Sequence, residues 1–194
     1  MYIVTVRQGA KYSHEYVKVL SRMVKEHSGE DLKVLGDQED ADIPMKTGYK
    51  AFWSKLELFS PDFPLRPCLF LDLDSFVVGS LKEYLEEPTE LELIKDFGYI
   101  IRPHRSRSNS GIMRIPKYVD EVWNAHYSSQ TMVDGDFLNS QPHIQMDMSG
   151  IYSTKYQCKS GIPDDAKILC SHGRPRPHED ERPWVRDLWD KYRG

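Results

Sequence analysis

Apolar residues along this chain fall into short continuous runs that alternate with helical-period stretches, the rhythm of an α/β protein. Tyr2-Ile3-Val4-Thr5-Val6 reads as a first strand, β-branched and apolar. A polar loop from Arg7 to Tyr12 leads to Ser13, an N-cap residue. Val17, Leu20 and Val24 then recur at helical spacing up to the stop signal Gly29. Leu32-Lys33-Val34-Leu35 is a second strand, so the chain opens with a βαβ unit whose first loop is a nucleotide-docking position. Residues 36–47, acidic and containing Pro44, read as a surface loop. Tyr49 to Phe59 reads as a helix with Phe52, Trp53, Leu56 and Phe59 on one face and Lys55 off that stripe. Cys68 to Leu71 is a fully apolar strand, buried on both faces, that ends in Asp72 and Asp74.

The second half is read in the same way. A short helix follows to Glu86, with Leu81, Tyr84 and Leu85 inward, then an alternating strand over Leu91–Ile94. Asn109-Ser110-Gly111 reads as a turn entering a strand to Ile115, and Pro116 as the first turn of a helix carrying Val119, Val122, Trp123 and His126. His126 on that face reads as a packed histidine. Met132–Ser140 passes from loop into short helix, and residues 141–166 are polar and turn-rich. Lys167–Cys170 is a last strand, running into Ser171-His172-Gly173-Arg174-Pro175-Arg176-Pro177. From Pro183 a helix docks through Trp184, Leu188 and Trp189. The expectation is one α/β domain over residues 1–194, Rossmann-like, with a mixed, mostly parallel sheet flanked by helices.

Composition narrows the class. With 39% hydrophobic and 29% charged residues the chain is globular rather than disordered. A net charge of −4 gives no general attraction for nucleic acid or an anionic membrane, and the basic patch Arg102–Arg107 reads as a solvated loop. Cys68, Cys158 and Cys170 are widely spaced and lack a Cys-x-x-Cys pair, which argues against a zinc ribbon or disulfide framework and for a reducing cytosol. Arg7 interrupts the apolar start too early for a signal peptide, and no run approaches the ~20 residues of a membrane span.

Candidate chemistry gathers at strand ends. Three Asp-x-Asp triplets occur, but only Asp72/Asp74 follows a fully apolar run. Ligands of open α/β sheets bind beyond the carboxyl ends of strands, where paired carboxylates are hard ligands for the Mg²⁺ or Mn²⁺ that grips a diphosphate. The plain reading is an acidic turn in solvent. His172 follows another apolar strand and completes a two-carboxylate, one-imidazole set, with Arg174 and Arg176 as phosphate-binding forks. The chain has no Walker-type loop, Ser-His-Asp set or reactive-cysteine setting.

In motif order the sequence resembles the retaining, glycogenin-like (family 8) nucleotide-sugar glycosyltransferases of the GT-A fold. The matching residues are Lys55, Phe70-Leu71-Asp72-Leu73-Asp74, Asn109-Ser110-Gly111, Asp134-Gly135-Asp136-Phe137-Leu138-Asn139, His172 and Gly173-Arg174-Pro175-Arg176-Pro177. The resemblance implies that Asp72, Asp74 and His172 hold Mn²⁺ (or Mg²⁺) against the donor diphosphate, while Lys55 and Arg176 neutralise the departing charge. Asn109 would contact the donor sugar, Asp134 would lie near its hydroxyls, and Tyr12 would stack on the base, usually uracil. Gly111 and Gly173 belong to the same donor-binding motifs. The implied reaction moves a hexose from a UDP-sugar to an acceptor (glycan, protein, small molecule or nucleobase) with retention. Gly135 stands where the family has Gln, and His172 adjoins Gly173 where the family places two further residues between. Two other readings remain open: a haloacid-dehalogenase-type phosphatase using Asp72 as nucleophile, and a catalytically silent nucleotide-sugar-binding module.

Overall fold

The computed structural model describes residues 1–49, 51–104, 107–126 and 134–194, with the side chains of residues 51, 52, 126, 134 and 135 left aside. In chain order the first half contains β1 (Tyr2–Arg7), α1 (His14–Ser28), β2 (Leu32–Gly36), β3 (Ile43–Pro44), a 3-10 helix over Ala51–Phe59, β4 (Cys68–Leu71) and β5 (Ser75–Val77). Then come β6 (Glu92–Lys95), β7 (Ser108–Ile115), α2 (Asp120–His126), α3 (Asp134–Ser140), β8 (Ile144–Gln145), β9 (Ile151–Ser153), β10 (Ile168–Cys170) and α4 (Pro183–Arg193).

The main sheet has the order β3-β2-β1-β4-β7-β6-β8. Its β3/β2, β2/β1, β1/β4 and β6/β8 pairs are parallel, whereas β7 runs antiparallel between β4 and β6. The expected mixed, mostly parallel α/β architecture is what the chain adopts. A second sheet, β5-β10-β9, lies beside it.

β4 shows why the apolar run is unbroken. Successive side chains of a strand point to opposite faces, and here both faces are covered. Leu69 and Leu71 share a core with Leu20 and Met23 of α1, Phe76 and Leu169 of the second sheet, and Trp189 of α4. Cys68 and Phe70 face another core with Leu56, Phe59, Met113 and Phe137. All four strand residues are fully buried.

Several expectations are corrected. The acidic loop contains β3, which pairs Ile43 with Leu35, while Asp42 accepts the Val34 N–H at 2.9 Å. The Tyr49–Phe59 segment is a 3-10 helix from Ala51, not an α-helix. With three residues per turn, Lys55 eclipses Leu58 and goes inward instead of lying off the buried stripe. The side chain of Phe52, placed on that stripe, lies outside the described residues, as does that of His126. β6 does not alternate: Leu91, Glu92, Leu93 and Ile94 are all buried, and Arg114 of β7 satisfies Glu92 at 2.7 Å. Helix α2 starts at Asp120, not near Pro116. The turn-rich stretch supplies β8 and β9, and β5 follows Asp74 directly.

Helix α4 docks through Val185, Trp189 and Tyr192, with Trp184 and Leu188 partly buried beside them. No described helix is long and apolar enough to cross a membrane. Just before α4, buried Asp180 accepts from the Arg182 guanidinium at 2.9 and 2.5 Å. Arg182 in turn donates to the Thr154 and Cys158 carbonyls at 2.6 and 3.1 Å. These bonds hold the Asp180 carboxyl below its ordinary pKa. A depressed pKa contributes stability that is complete above the unfolded value, about 3.9, and is lost as pH falls through the folded value. Asp180→Asn should therefore unfold more easily than the parent at neutral pH in urea titrations, and the gap should shrink below about pH 3.9.

Candidate functional site

Parallel pairing puts the carboxyl ends of β1 and β4 at one edge of the sheet, and antiparallel β7 begins at that same edge. The β1 loop, Asp72–Asp74 and Asn109–Gly111 meet there because of this topology. Leu73 is buried in the turn after β4, with Asp72 and Asp74 half-buried on either side of it. The Lys55 ammonium meets Asp72 at 2.8 Å (Oδ1) and 3.0 Å (Oδ2), and also donates to the Ser110 carbonyl at 3.2 Å. The Tyr12 hydroxyl donates to Asp74 Oδ2 at 2.6 Å. Burial, and then the charge of Asp72, push the Asp74 carboxyl pKa upward. Burial and Asp74 likewise keep the Tyr12 phenol protonated, and hence a donor.

Asn109-Ser110-Gly111 lies within β7 rather than in a turn before it. The pairing with β6 jumps from Leu93–Met113 to Ile94–Asn109, so β7 bulges away from β6 through Ser110–Ile112 while staying paired to β4. Asn109 Oδ1 accepts the Gly111 N–H at 2.7 Å and stabilises this excursion. A Cβ on Gly111 would lie 2.8 Å from Asn109 Oδ1 and 3.4 Å from Asp72 Oδ2. Glycine therefore lets the bulge approach the carboxylate.

His172 follows β10 and stacks on Phe97, with centroids 5.5 Å apart and planes 5° from parallel. Its Nε2 is 2.7 Å from Ser153 Oγ, which also accepts the N–H groups of Lys155 and Tyr156 at 3.2 and 3.1 Å. With its lone pairs so used, the hydroxyl gives its proton to His172 Nε2. Burial, then the charge of Lys155, keep this imidazole below its ordinary pKa and neutral. Gly173 turns the chain at φ 77°. Arg176 then donates to the Lys11 carbonyl at 3.1 Å and places its guanidinium 5.6 Å from the Tyr12 ring centroid.

Two cavities meet at these groups. One of about 590 Å³ is lined by Gln8–Tyr12, Asp37, Lys55 and Asp72. The other, about 150 Å³, brings Tyr12, Asp72 and Asp74 together with Asn109, Gly111 and His172–Gly173. Lys55, Tyr12, Asp72, Asp74, Asn109, Gly111, His172 and Gly173 thus share one locale, with Arg176 braced against it. Asp134 opens α3, but its side chain lies outside the described residues. The other polar residues of that segment have structural partners: Asp136 pairs with Arg107, and Asn139 makes two bonds to the Ser108 backbone, at 2.7 and 2.8 Å.

Among the described residues no three His, Cys, Asp or Glu side chains converge as a metal-holding group. Each of the three candidates is instead bonded within the protein: Lys55 engages Asp72, Tyr12 engages Asp74, and Ser153 engages His172. As donors they suit a hard divalent cation, being two carboxylates, one with a raised pKa, and a neutral imidazole. Sequence reasoning missed Ser153 and Phe97, because nothing local marks either as a partner of His172. It also passed over Lys11, although that residue sits beside Tyr12 in the β1 loop.

No protein-family model and no curated protein sequence matches the chain. Solved structures do match in shape. The galactosyltransferase LgtC, solved with donor and acceptor sugar analogues, aligns at TM-score 0.65 and 12% identity over 99% of this chain and 96% of that one. The chain has the GT-A glycosyltransferase fold. The glycosyltransferase GlyE of Streptococcus pneumoniae aligns at TM-score 0.66 and 15% identity over 99% of this chain and 59% of that one. A glycosyltransferase involved in glycosylation of the major capsid of PBCV-1 aligns at 0.56 and 13%, over the full length of both. At such identities the likeness concerns the fold, and the GT-A frame seats the β1 loop, Asp72/Asp74 and the β7 bulge at one sheet edge.

Gly111→Ala should displace the Asn109 carboxamide and lose its bond to the bulge. The expected cost is about 1–3 kcal/mol in denaturant unfolding, with far-UV circular dichroism unchanged. Unchanged stability would show that the bulge does not depend on that bond.

Proposed function

We propose that the chain is a metal-dependent glycosyltransferase that takes a hexose from a UDP-sugar and transfers it with retention, residues 1–194 acting as one catalytic domain. The observation that carries this is the paired carboxylates Asp72 and Asp74 at the end of β4, where the two cavities meet beside Lys55, Lys11 and Arg176. The larger cavity falls within the roughly 300–1,000 Å³ of ordinary ligand sites. It suits a nucleoside held by the β1 loop, with Tyr12 available to stack on the base. Retention and the identity of the base rest on the motif resemblance. Three unpaired, buried cysteines suit a cytosolic setting.

Charge arithmetic favours a cation. A phosphate oxygen about 4 Å from a carboxylate is repelled by about 4 kcal/mol at an effective dielectric of 20. Two such pairs oppose a diphosphate, Lys55 offsets part of the Asp72 charge, and a divalent ion between would turn the remaining repulsion into attraction. Asp72 and Asp74 would hold Mn²⁺ or Mg²⁺, joined by His172 once the Ser153 hydroxyl turns away. Bound there, the ion supplies Lewis-acid stabilisation of the leaving diphosphate. The chain's own cations complete that role: Lys55 from the 3-10 helix, and Arg176 over the Tyr12 ring. The hexose would face Asn109 in the smaller cavity, with Asp134 at its hydroxyls.

Titration calorimetry with UDP tests the reading. Affinity in Mn²⁺ should fall at least tenfold on adding chelator, and similarly in Asp72→Asn and Asp74→Asn, which keep shape but lose charge. Equal binding in all four arms would overturn it, and a covalent phosphate on Asp72 after phosphoester turnover would point to the phosphatase instead. Tyr12→Ala should cost roughly 1–3 kcal/mol of uridine affinity, on the scale of base–aromatic stacking, and Tyr12→Phe should recover most of it. Matching losses in Ala and Phe would remove Tyr12 from base recognition.

A further inference from the structure

Behind His172 lies a third cavity, of about 270 Å³, lined by Lys155, Lys159, His172, Arg174 and Arg182 with Thr154 and Pro175. It is bounded by two lysines, two arginines and no carboxylate, in a chain whose net charge is −4. Two of the cations already have partners: Arg182 is bound to Asp180, and Arg174 to Glu179 at 3.2 Å. Lys155 and Lys159 are exposed and have no carboxylate partner among the described residues. Arg182 braces the wall instead, through its bonds to the Thr154 and Cys158 carbonyls.

His172 also lines the small cavity that holds Asp72, Asp74 and Asn109. A group in the basic pocket is therefore next door to the place where the transferred sugar would sit. It is also removed from the β1 loop, where the nucleoside would lie. That neighbourhood belongs to the second substrate. On the glycosyltransferase reading above, we propose that this pocket is an acceptor subsite, and that the acceptor is a glycoside carrying an anionic group, phosphate or carboxylate, beside the accepting sugar. A volume slightly below the usual range for ligand sites suits one sugar-sized unit and its charged substituent. Lys155 and Lys159 supply the unpaired charge, and Arg174 the fork that can exchange Glu179 for an anionic oxygen.

The test is ¹H–¹⁵N NMR on the intact protein saturated with UDP and Mg²⁺. The probes are inorganic phosphate, glucose 6-phosphate and glucuronate, with methyl glucoside as the neutral control. The anions should shift the amides of residues 154–159 and 171–174 saturably, and the neutral glycoside should not. Lys159→Gln should weaken anion binding several-fold, while leaving UDP affinity and UDP-hexose hydrolysis unchanged, and adding Lys155→Gln should bring the loss to about tenfold or more. Tighter binding of glucose 6-phosphate assigns a phosphorylated acceptor, and tighter binding of glucuronate an acidic sugar; either supports the subsite. Absence of anion-dependent shifts, or equal affinity in the double variant, would overturn it, as would loss of the phosphate shifts when UDP is added to protein first loaded with phosphate alone. Failure of the donor reading has a separate signature, UDP binding indifferent to Asp72→Asn, and the anion titration is then read without UDP.

Discussion

The ion pair between Lys55 and Asp72 organises the edge of the sheet on which everything else rests. Lys55 is drawn almost wholly out of water, its side chain 11% exposed against 34% for Asp72. An ammonium so placed carries a desolvation cost of several kcal/mol unless its donors are used. Lys55 uses them on both oxygens of Asp72 and on the Ser110 carbonyl, and so ties the 3-10 helix, the end of β4 and the β7 bulge to one charge. Removing Asp72 alone would leave a buried ammonium uncompensated, which is why such a pair fixes geometry even where its net contribution to stability is small.

Around that point, two sheets divide the work. The main sheet brings three segments to one edge: the β1 loop and Asp72–Asp74 by parallel pairing, and Asn109–Gly111 because β7 runs the other way. The second sheet contributes His172 through β10 and Ser153 through β9, side by side in parallel register. The segment after His172 then returns over the β1 loop, where Arg176 meets the Lys11 carbonyl. Both cavities near Asp72 include Tyr12, which touches Asp74 with its hydroxyl and Tyr16 with its ring edge at 4.8 Å.

Much of this frame was legible in residue order. β1, α1, β2 and β4 carry strong periodic or continuous apolar signals with plain stop residues, and Gly29 takes the left-handed conformation expected of a helix terminator. What escaped did so for physical reasons. β5, β9 and β10 have three residues each, too few for any period to show; β5 went unseen because Phe76-Val77-Val78 follows the Asp pair so closely that it reads as part of the same stretch, and β9 because Ile151-Tyr152-Ser153 lies in a polar, turn-rich segment. Lys55 was assigned to the wrong side because an α-helical period was applied to a 3-10 helix. Asn109-Ser110-Gly111 looks like a turn because glycine and asparagine usually signal one; here they serve a bulge whose cause is the close approach to Asp72. Lys55, Asp72, Asp74, Asn109, Gly111, His172 and Gly173 were brought to one locale, but the counter-groups that hold them lie far apart in sequence and could not be read.

Those counter-groups bear on how a cation would enter. Each candidate ligand already accepts a bond inside the protein: Asp72 from Lys55, Asp74 from Tyr12, His172 from Ser153. Binding there is an exchange of partners rather than the filling of a preformed cage, and the intrinsic affinity is reduced by the free energy of the bonds given up. The exchange has a direction. A phenol and a serine hydroxyl are neutral and can turn away, whereas the buried Lys55 ammonium is held by the Asp72 charge beside it. A metal arriving alone would leave that ammonium short of a partner; a metal arriving with a diphosphate brings one. On the proposed function the pairing pattern would couple cation to nucleotide, each binding appreciably only in the company of the other.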